Sequence, residues 1–263
     1  MKVVLFCGGL GIRMGEATQR LPKPMIPIGG RPILWHIMRY YASFGHREFI
    51  LCLGYRAEAV KEYFLTYNEA ISNDFVLRNG GRDLELLSSD TEDWTITFVD
   101  TGISSTIGGR LKAVAPFLES DEMFLATYGD GLTDLPLDDM VTTFTASGKT
   151  AMFISVRPNV TMHVVQADER GVVKGIEDIV DADVFINGGY FILRREIFDV
   201  IEPGDELVEQ PFRRLVDREE LLAYPYDGFW APMDTLKDKQ QLDALWEAGV
   251  APWVRRSASL DVP

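Results

Sequence analysis

The run MKVVLFCGGLGIRMGEATQRLPKPMIPIGGRP, Met1 to Pro32, decides how the rest of the chain is organised. Met1 to Cys7 is apolar and stops at Gly8-Gly9, which reads as a buried first strand running into a loop. Gly8, Gly9 and Gly11 crowd that loop, where side chains would obstruct a ligand or forbid the backbone angles required. Such a loop can turn several backbone N–H groups toward one anion. Arg13 and Lys23 flank it with positive charge, and Pro22, Pro24 and Pro27 stiffen the arm that carries Lys23.

Known glycine loops narrow the choice. A dinucleotide fingerprint counted from Gly9 and Gly11 puts its third glycine at Met14, so it fails. No Gly-Lys-Ser/Thr follows at P-loop spacing. A plain glycine turn leaves the spacing of Arg13 and Lys23 unexplained. What remains is G-G-x-G-x-R with P-K-P ten residues after the arginine, which resembles the signature of sugar-phosphate nucleotidyltransferases. The runs GGLGIR, PKPMIPIGGRPILWHIM, FVDTGISSTIGGRLKAV, TYGDGLTDL, INGGYFIL and GFWAPMDTLKDK are similar to the glucose-1-phosphate cytidylyltransferases. The similarity extends from Met1 to about Trp253 and thins near residues 157–183.

Composition agrees with a soluble α/β enzyme. The chain has 263 residues, 46% hydrophobic and 25% charged, which suits one domain with ample core. A net charge of −14 argues against a nucleic-acid binder, and it requires that cations for anionic substrates be concentrated locally. Arg13, Lys23 and Arg110 are the candidates. Cys7 and Cys52 lie in apolar strands and are expected to be buried, reduced thiols. No signal peptide and no apolar run of ~18 residues is present, so the expectation is a cytoplasmic protein that does not enter a membrane.

Further along, Pro32 to Phe44 carries a helical stripe with His36 off it, expected to be solvated or near an interface. Glu48–Gly54 reads as a strand and Ala57–Tyr67 as a helix, an alternation that implies a parallel sheet. Asn79-Gly80-Gly81 marks a hairpin inserted before the strand Trp94–Asp100. A helix is expected over Ile107–Leu118, a strand over Glu122–Tyr128, a helix over Leu137–Ser147 and a strand over Thr150–Val156. From Arg157 the texture turns β-rich. A hairpin spans Val164 to Ile176, and Val184–Leu193 is a strand whose Asn187-Gly188-Gly189 suggests close approach of a ligand or backbone. A helix (Phe212–Arg218), a strand (Leu221–Tyr226) and a last helix capped by Asp234 or Thr235 complete the chain.

The resemblance implies a Rossmann-like open mixed, mostly parallel sheet flanked by helices, with a β-rich acceptor-side lobe, as in glycosyltransferase-A-like nucleotidyltransferases. Residues 1–156 would form mainly the nucleotide lobe and 157–263 mainly the acceptor lobe and C-terminal helix of a single domain. It also implies transfer of CMP from CTP to a phosphorylated acceptor with release of pyrophosphate, by an enzyme that is a homo-oligomer. The acceptor attacks in line, so no protein nucleophile is needed and catalysis is positioning and charge neutralisation. Arg13, Lys23, Asp130 and Asp234 are the expected catalytic residues, with Asp130 and Asp234 holding Mg²⁺. Each aspartate has a plainer reading, Asp130 as an Asp-Gly turn and Asp234 as a helix cap. The nucleotide is expected against Phe6, Gly8, Gly9, Leu10, Gly11, Ile12, Gly102, Ser104, Ser105, Gly109, Arg110 and Gly129. Cytosine offers an amino donor where uracil has a carbonyl, so backbone carbonyls, Ser104 or Ser105 would select it. Arg110 would touch base or phosphate, or else be a helix-surface arginine.

On the acceptor side Glu177, Asp178, Asn187 and Gly188 are the candidates. The cytidylyltransferases that the chain resembles carry Glu-Lys-Pro where this chain has Glu177-Asp178-Ile179. A cation exchanged for an anion beside a sugar phosphate is a repulsive element. The family's Gly-aromatic-Gly segment is replaced by Asn159 to His163. Lys174, Arg157 and His163 are near enough in sequence to supply a replacement cation. The reading is therefore retained cytidylyl chemistry with an altered acceptor, in place of glucose 1-phosphate. Use of UTP or dTTP, or a non-catalytic nucleotide-sensing homologue, are the alternatives; the second would be expected to lose Lys23, Asp130 or Asp234, and all three are present.

Overall fold

The computed structural model describes residues 1–9, 21–91, 93–159 and 162–255. Chain order begins with β1 (Lys2–Phe6), the short strands β2 (Pro27–Ile28) and β3 (Arg31–Pro32), helix α1 (Ile33–Ser43), β4 (Glu48–Leu53), α2 (Ala57–Leu65) and α3 (Glu69–Ser72). It continues with β5 (Phe75–Arg78), β6 (Asp83–Leu86), β7 (Thr95–Asp100), α4 (Ile107–Ala113), β8 (Met123–Tyr128), β9 (Gly131–Thr133), α5 (Leu137–Ser147) and β10 (Ala151–Val156). The remainder is β11 (His163–Ala167), β12 (Val173–Asp178), β13 (Ile186–Arg194), α6 (Gln210–Asp217), β14 (Leu221–Tyr226), β15 (Trp230–Pro232) and α7 (Leu236–Glu247).

Seven strands form the central sheet in the order β14-β10-β13-β8-β1-β4-β7. β1 runs parallel to β4 and β8, β4 to β7, and β10 to β14, while β13 is antiparallel to both neighbours. The sheet is mixed and mostly parallel, as the alternation predicts, and β13 and β14 join it from beyond residue 156. Period-two alternation sends Val3 and Leu5 into one core and Val4 and Phe6 into the other. The first core is covered by α1, α5 and α7 through Ile37, Phe144 and Leu242, the second by α4 and α6 through Leu111 and Phe212. Cys7 and Cys52 are buried free thiols. Among the described residues no helix is long and apolar enough to cross a membrane.

Two expectations fail for local reasons. The helix expected over Ile107–Leu118 stops at Ala113, and Ala115–Leu118 is a 3₁₀ turn. Pro116 lacks the N–H that a continuing helix needs. His36 is 2% exposed, not solvated. Its Nε2 donates to the Ile28 carbonyl at 2.9 Å, its Nδ1 accepts from Trp253 Nε1 at 3.3 Å, and burial lowers its pKa to about 4. The neutral ring therefore ties α1 to the strand β2 on the arm that follows Lys23.

Candidate active site

The strand pair β9–β15 brings the candidate residues together. Pro232 pairs with Gly131, and the Met233 N–H donates to the Asp130 carbonyl at 2.8 Å. Asp130 therefore stands just before one strand and Asp234 just after its partner, at the same end of the ladder. Lys23 Nζ meets both, at 2.7 Å from Asp130 Oδ2 and 2.6 Å from Asp234 Oδ1. Burial disfavours the ammonium, but the two carboxylates outweigh it and Lys23 titrates above the ordinary lysine range. Lys23 begins a 3₁₀ turn after Pro22. Its neighbour Pro24 lies against Gly129, where an added Cβ would come within 3.1 Å of Pro24 Cγ and 3.2 Å of the Phe6 carbonyl oxygen. Gly129 is thus a packing requirement that lets the braced arm reach Asp130.

The cap of α7 is Thr235, whose side chain accepts from Asp238 N while Asp238 reaches back to the Thr235 backbone. This capping box leaves Asp234 facing Lys23 instead, so the cap alternative for Asp234 falls. The two carboxylate side chains are 32% and 35% exposed while the lysine is 12% exposed, so they face the crevice in front of the ammonium. No third carboxylate, histidine or cysteine completes a metal cage among the described residues. Two convergent aspartates fit a hard divalent cation whose remaining ligands are phosphate and water oxygens.

On the sheet's other flank the glycine loop meets the loop after β7. Phe6 is 5% exposed, its ring beside Tyr128, and its carbonyl accepts from Gly129 N at 3.2 Å. Leu10, Gly11, Ile12 and Arg13 lie outside the described residues. Arg110 is a correction: it is 3% exposed and is not a helix-surface residue. Its Nη1 donates to the Leu53 carbonyl at 3.1 Å and Thr101 Oγ1 at 2.7 Å, and its Nη2 to the carbonyls of Gly8 at 3.1 Å and Ile103 at 3.2 Å. With both terminal nitrogens so engaged, it does not present a free fork to a base or phosphate. Gly102 has φ +89° and its N–H is held by Asp100 at 3.0 Å, Ser104 is exposed, and Ser105 donates its hydroxyl to the Thr101 carbonyl. Gly109 N–H is capped by Thr106 at 3.0 Å inside α4.

Beside the aspartate pair, a cavity of about 270 Å³ has walls that include Asp130, Asp234, Asn187, Gly188, Tyr128 and Trp230. Trp230 Nε1 donates to the Gly188 carbonyl at 2.7 Å, and Asn187 Oδ1 accepts from Gly189 N at 2.8 Å. A Cβ on Gly188 would stand 2.6 Å from Ile154 side-chain carbons, and one on Gly189 2.3 Å from Tyr128. The close approach read from the glycines inside β13 is therefore to side chains of this chain. Tyr128 and Trp230 were not among the sequence candidates, although both stand in quoted runs, TYGDG and GFWAPMDT.

Glu177 and Asp178 do not line this cavity. They sit on the separate hairpin β11–β12, with Glu177 accepting from Gln166 at 3.0 Å and Asp178 opposite His163 in the register. Lys174 is held by Asp168 at 3.1 Å, and Arg157 donates to the Ala182 carbonyl at 3.0 Å, so each has a partner other than Asp178. A larger cavity of about 1150 Å³, between α1 and the C-terminal segment around Trp35, Trp246 and Trp253, contains none of the cluster residues.

Comparison with known proteins gives a consistent picture. Residues 2–248 match the family described as Nucleotidyl transferase. A glucose-1-phosphate cytidylyltransferase of Salmonella typhi is 42% identical over 255 residues, covering 96% of this chain and 98% of that protein. A mannose-1-phosphate guanyltransferase of Schizosaccharomyces pombe is 25% identical, covering 90% of this chain and 62% of its own length. Among solved structures, a UDP-glucose pyrophosphorylase complexed with UDP-glucose superposes with TM-score 0.69 at 18% identity, covering 94% of this chain and 98% of that one. The UTP-bound UGPase of Acinetobacter baumannii gives 0.65 at 18% identity, covering 93% and 92%. At these identities the structures share the fold.

Proposed function

The chain belongs to the nucleotidyl transferase family, alongside the glucose-1-phosphate cytidylyltransferases, and from that premise we propose that it transfers CMP from CTP to a sugar 1-phosphate other than glucose 1-phosphate. An acceptor phosphate oxygen bonds to the α-phosphorus of CTP while the bond to the leaving pyrophosphate breaks. Every group in that step is anionic, so the protein's task is to align them and offset their charge. The observation that carries the reading is the convergence of Lys23 on Asp130 and Asp234 at the wall of the acceptor cavity.

Asp130 and Asp234 would hold Mg²⁺, which when bound supplies charge neutralisation at the phosphates. Lys23, a compact charge on a braced arm, neutralises the same phosphates from behind the pair. The glycine-loop amides, with Arg13, hold the triphosphate. Ser105 suits cytosine: its proton is committed to the Thr101 carbonyl, so its remaining lone pairs accept from an amino group and repel a carbonyl. For the acceptor, Asp178 puts an anion where the cytidylyltransferase pattern has a cation; Lys174 pairs with Asp168 and Arg157 with the Ala182 carbonyl, while His163 stands opposite Asp178 in the hairpin. The replacement in the sequence pattern carries the case against glucose 1-phosphate; Asp178 itself lies on the hairpin outside the cavity walls, so an acceptor that extends to that hairpin with a hydroxyl or amine for Asp178 is favoured.

The test is Asp130→Asn and Asp234→Asn, measured by pyrophosphate release across a Mg²⁺ titration and by thermal melting. Each should lower kcat about 10²-fold or more and raise the Mg²⁺ requirement, with little change in Tm. An Asp234→Asn that loses only Tm would return that residue to a structural role and overturn its part in the metal site.

A further inference from the structure

We infer that Arg110 is a positioning residue for this reaction: its buried guanidinium fastens Gly8, at the start of the glycine loop, to the loop after β7 and so fixes the spacing of the two segments that the proposed reading sets against the nucleoside. The inference rests on the nucleotide reading of those two loops. The four terminal N–H groups meet four oxygens, on Gly8 after β1, on Leu53 at the end of β4, and on Thr101 and Ile103 after β7. β1, β4 and β7 are consecutive in the sheet, so one side chain spans the ends of three neighbouring strands. Arginine that recognises phosphate does so through a fork of N–H groups. Here those at Nη1 and Nη2 are already spent on the protein.

The surrounding glycines are shaped to this guanidinium. A Cβ on Gly8 would lie 1.9 Å from Arg110 Nη1 and 2.2 Å from its Cζ. A Cβ on Gly54 would lie 2.9 Å from Nη1 and 2.9 Å from the Gly8 carbonyl oxygen. At Gly9, one residue on, an added Cβ meets nothing within 4 Å among the described residues. The two adjacent glycines therefore differ: Gly8 makes room for Arg110, and Gly9 is not crowded by any described residue. Thr101 is fixed in turn, its N–H and hydroxyl both donating to the Leu53 carbonyl, at 2.9 Å and 2.7 Å. A lysine ammonium has three donors on one atom and cannot reach four acceptors spread in a plane. Burial draws the Arg110 pKa down, as expected for a cation met by uncharged oxygens.

A double-mutant cycle tests this, reading CTP affinity by calorimetry, KM and kcat, with melting to verify the fold. Arg110→Ala and Gly8→Ala should each weaken CTP about tenfold or more, with a smaller effect on kcat. The Gly8→Ala/Arg110→Ala double variant should be no worse than Arg110→Ala alone, because the added methyl then occupies space that the guanidinium has left. Arg110→Lys should not restore affinity. Should Arg110→Ala fail to fold, Thr101→Val carries the test, since it removes one acceptor of the clamp and is expected to weaken CTP about threefold. Losses that multiply in the double variant, or a Thr101→Val enzyme with unchanged CTP affinity, overturn the positioning role. A wild-type enzyme that binds no CTP fails one step earlier and overturns the nucleotide reading itself.

Discussion

On the nucleotide side, the ends of β1, β4 and β7 are joined by an arginine that is 3% exposed, and Lys23 reaches its carboxylates over an arm packed against Gly129. On the acceptor side, β11 and β12 pair with each other and with no strand of the central sheet, and they expose Val165 and Ile176. The first region is over-determined: Gly8, Gly54, Thr101 and Arg110 each constrain the others, so a single replacement disturbs all of them. The second can exchange residues without a penalty in the core, because its side chains pack against little else. The departures from the cytidylyltransferase pattern, Asp178-Ile179 and Asn159 to His163, fall in or beside that hairpin. On the proposed assignment, the reacting groups sit on the densely constrained side and acceptor choice sits on the open hairpin.

Breaking the rigid side should have the largest effect. Lys23→Ala leaves Asp130 and Asp234 facing each other without the ammonium between them, and removes a fixed positive charge from the reacting phosphates. We expect kcat at saturating CTP to fall at least ~10²-fold, the scale of losing a preorganised electrostatic contact. A loss under tenfold would remove Lys23 from the chemistry. Changing the open side should have a smaller and selective effect. Asp178→Lys restores the cation of the relatives' pattern, and a charge-assisted bond of ~1.5–3 kcal/mol should raise kcat/KM for glucose 1-phosphate about tenfold or more while KM for CTP stays unchanged. A wild-type enzyme that already uses glucose 1-phosphate at ~10⁴ M⁻¹s⁻¹ would contradict the altered acceptor.

Much of this division is legible in the chain, and the exceptions have physical causes. The sheet follows from apolar runs alternating with helical stripes, and the grouping of Lys23, Asp130 and Asp234 is what the family resemblance implies. Burial of Arg110 is not legible, because its partners are backbone oxygens of Gly8, Leu53 and Ile103, which carry no side-chain signature. The same holds for the packing of Gly8 and Gly129, where an added Cβ would meet Arg110 and Pro24. His36 falls off the helical stripe, yet Trp246 and Trp253, near the far end of the chain, close over its ring. Asp234 directly precedes the helix-capping Thr235, and only the Thr235–Asp238 box decides which of the two is the cap.

The most direct measurement is pyrophosphate release in Mg²⁺ from CTP, UTP, dTTP, ATP and GTP, each offered with a panel of sugar 1-phosphates. Release is expected from CTP with at least one acceptor, more weakly from UTP and dTTP, and at background rates from the purine nucleotides. Turnover of ATP or GTP comparable to that of CTP would contradict a pyrimidine-selective site.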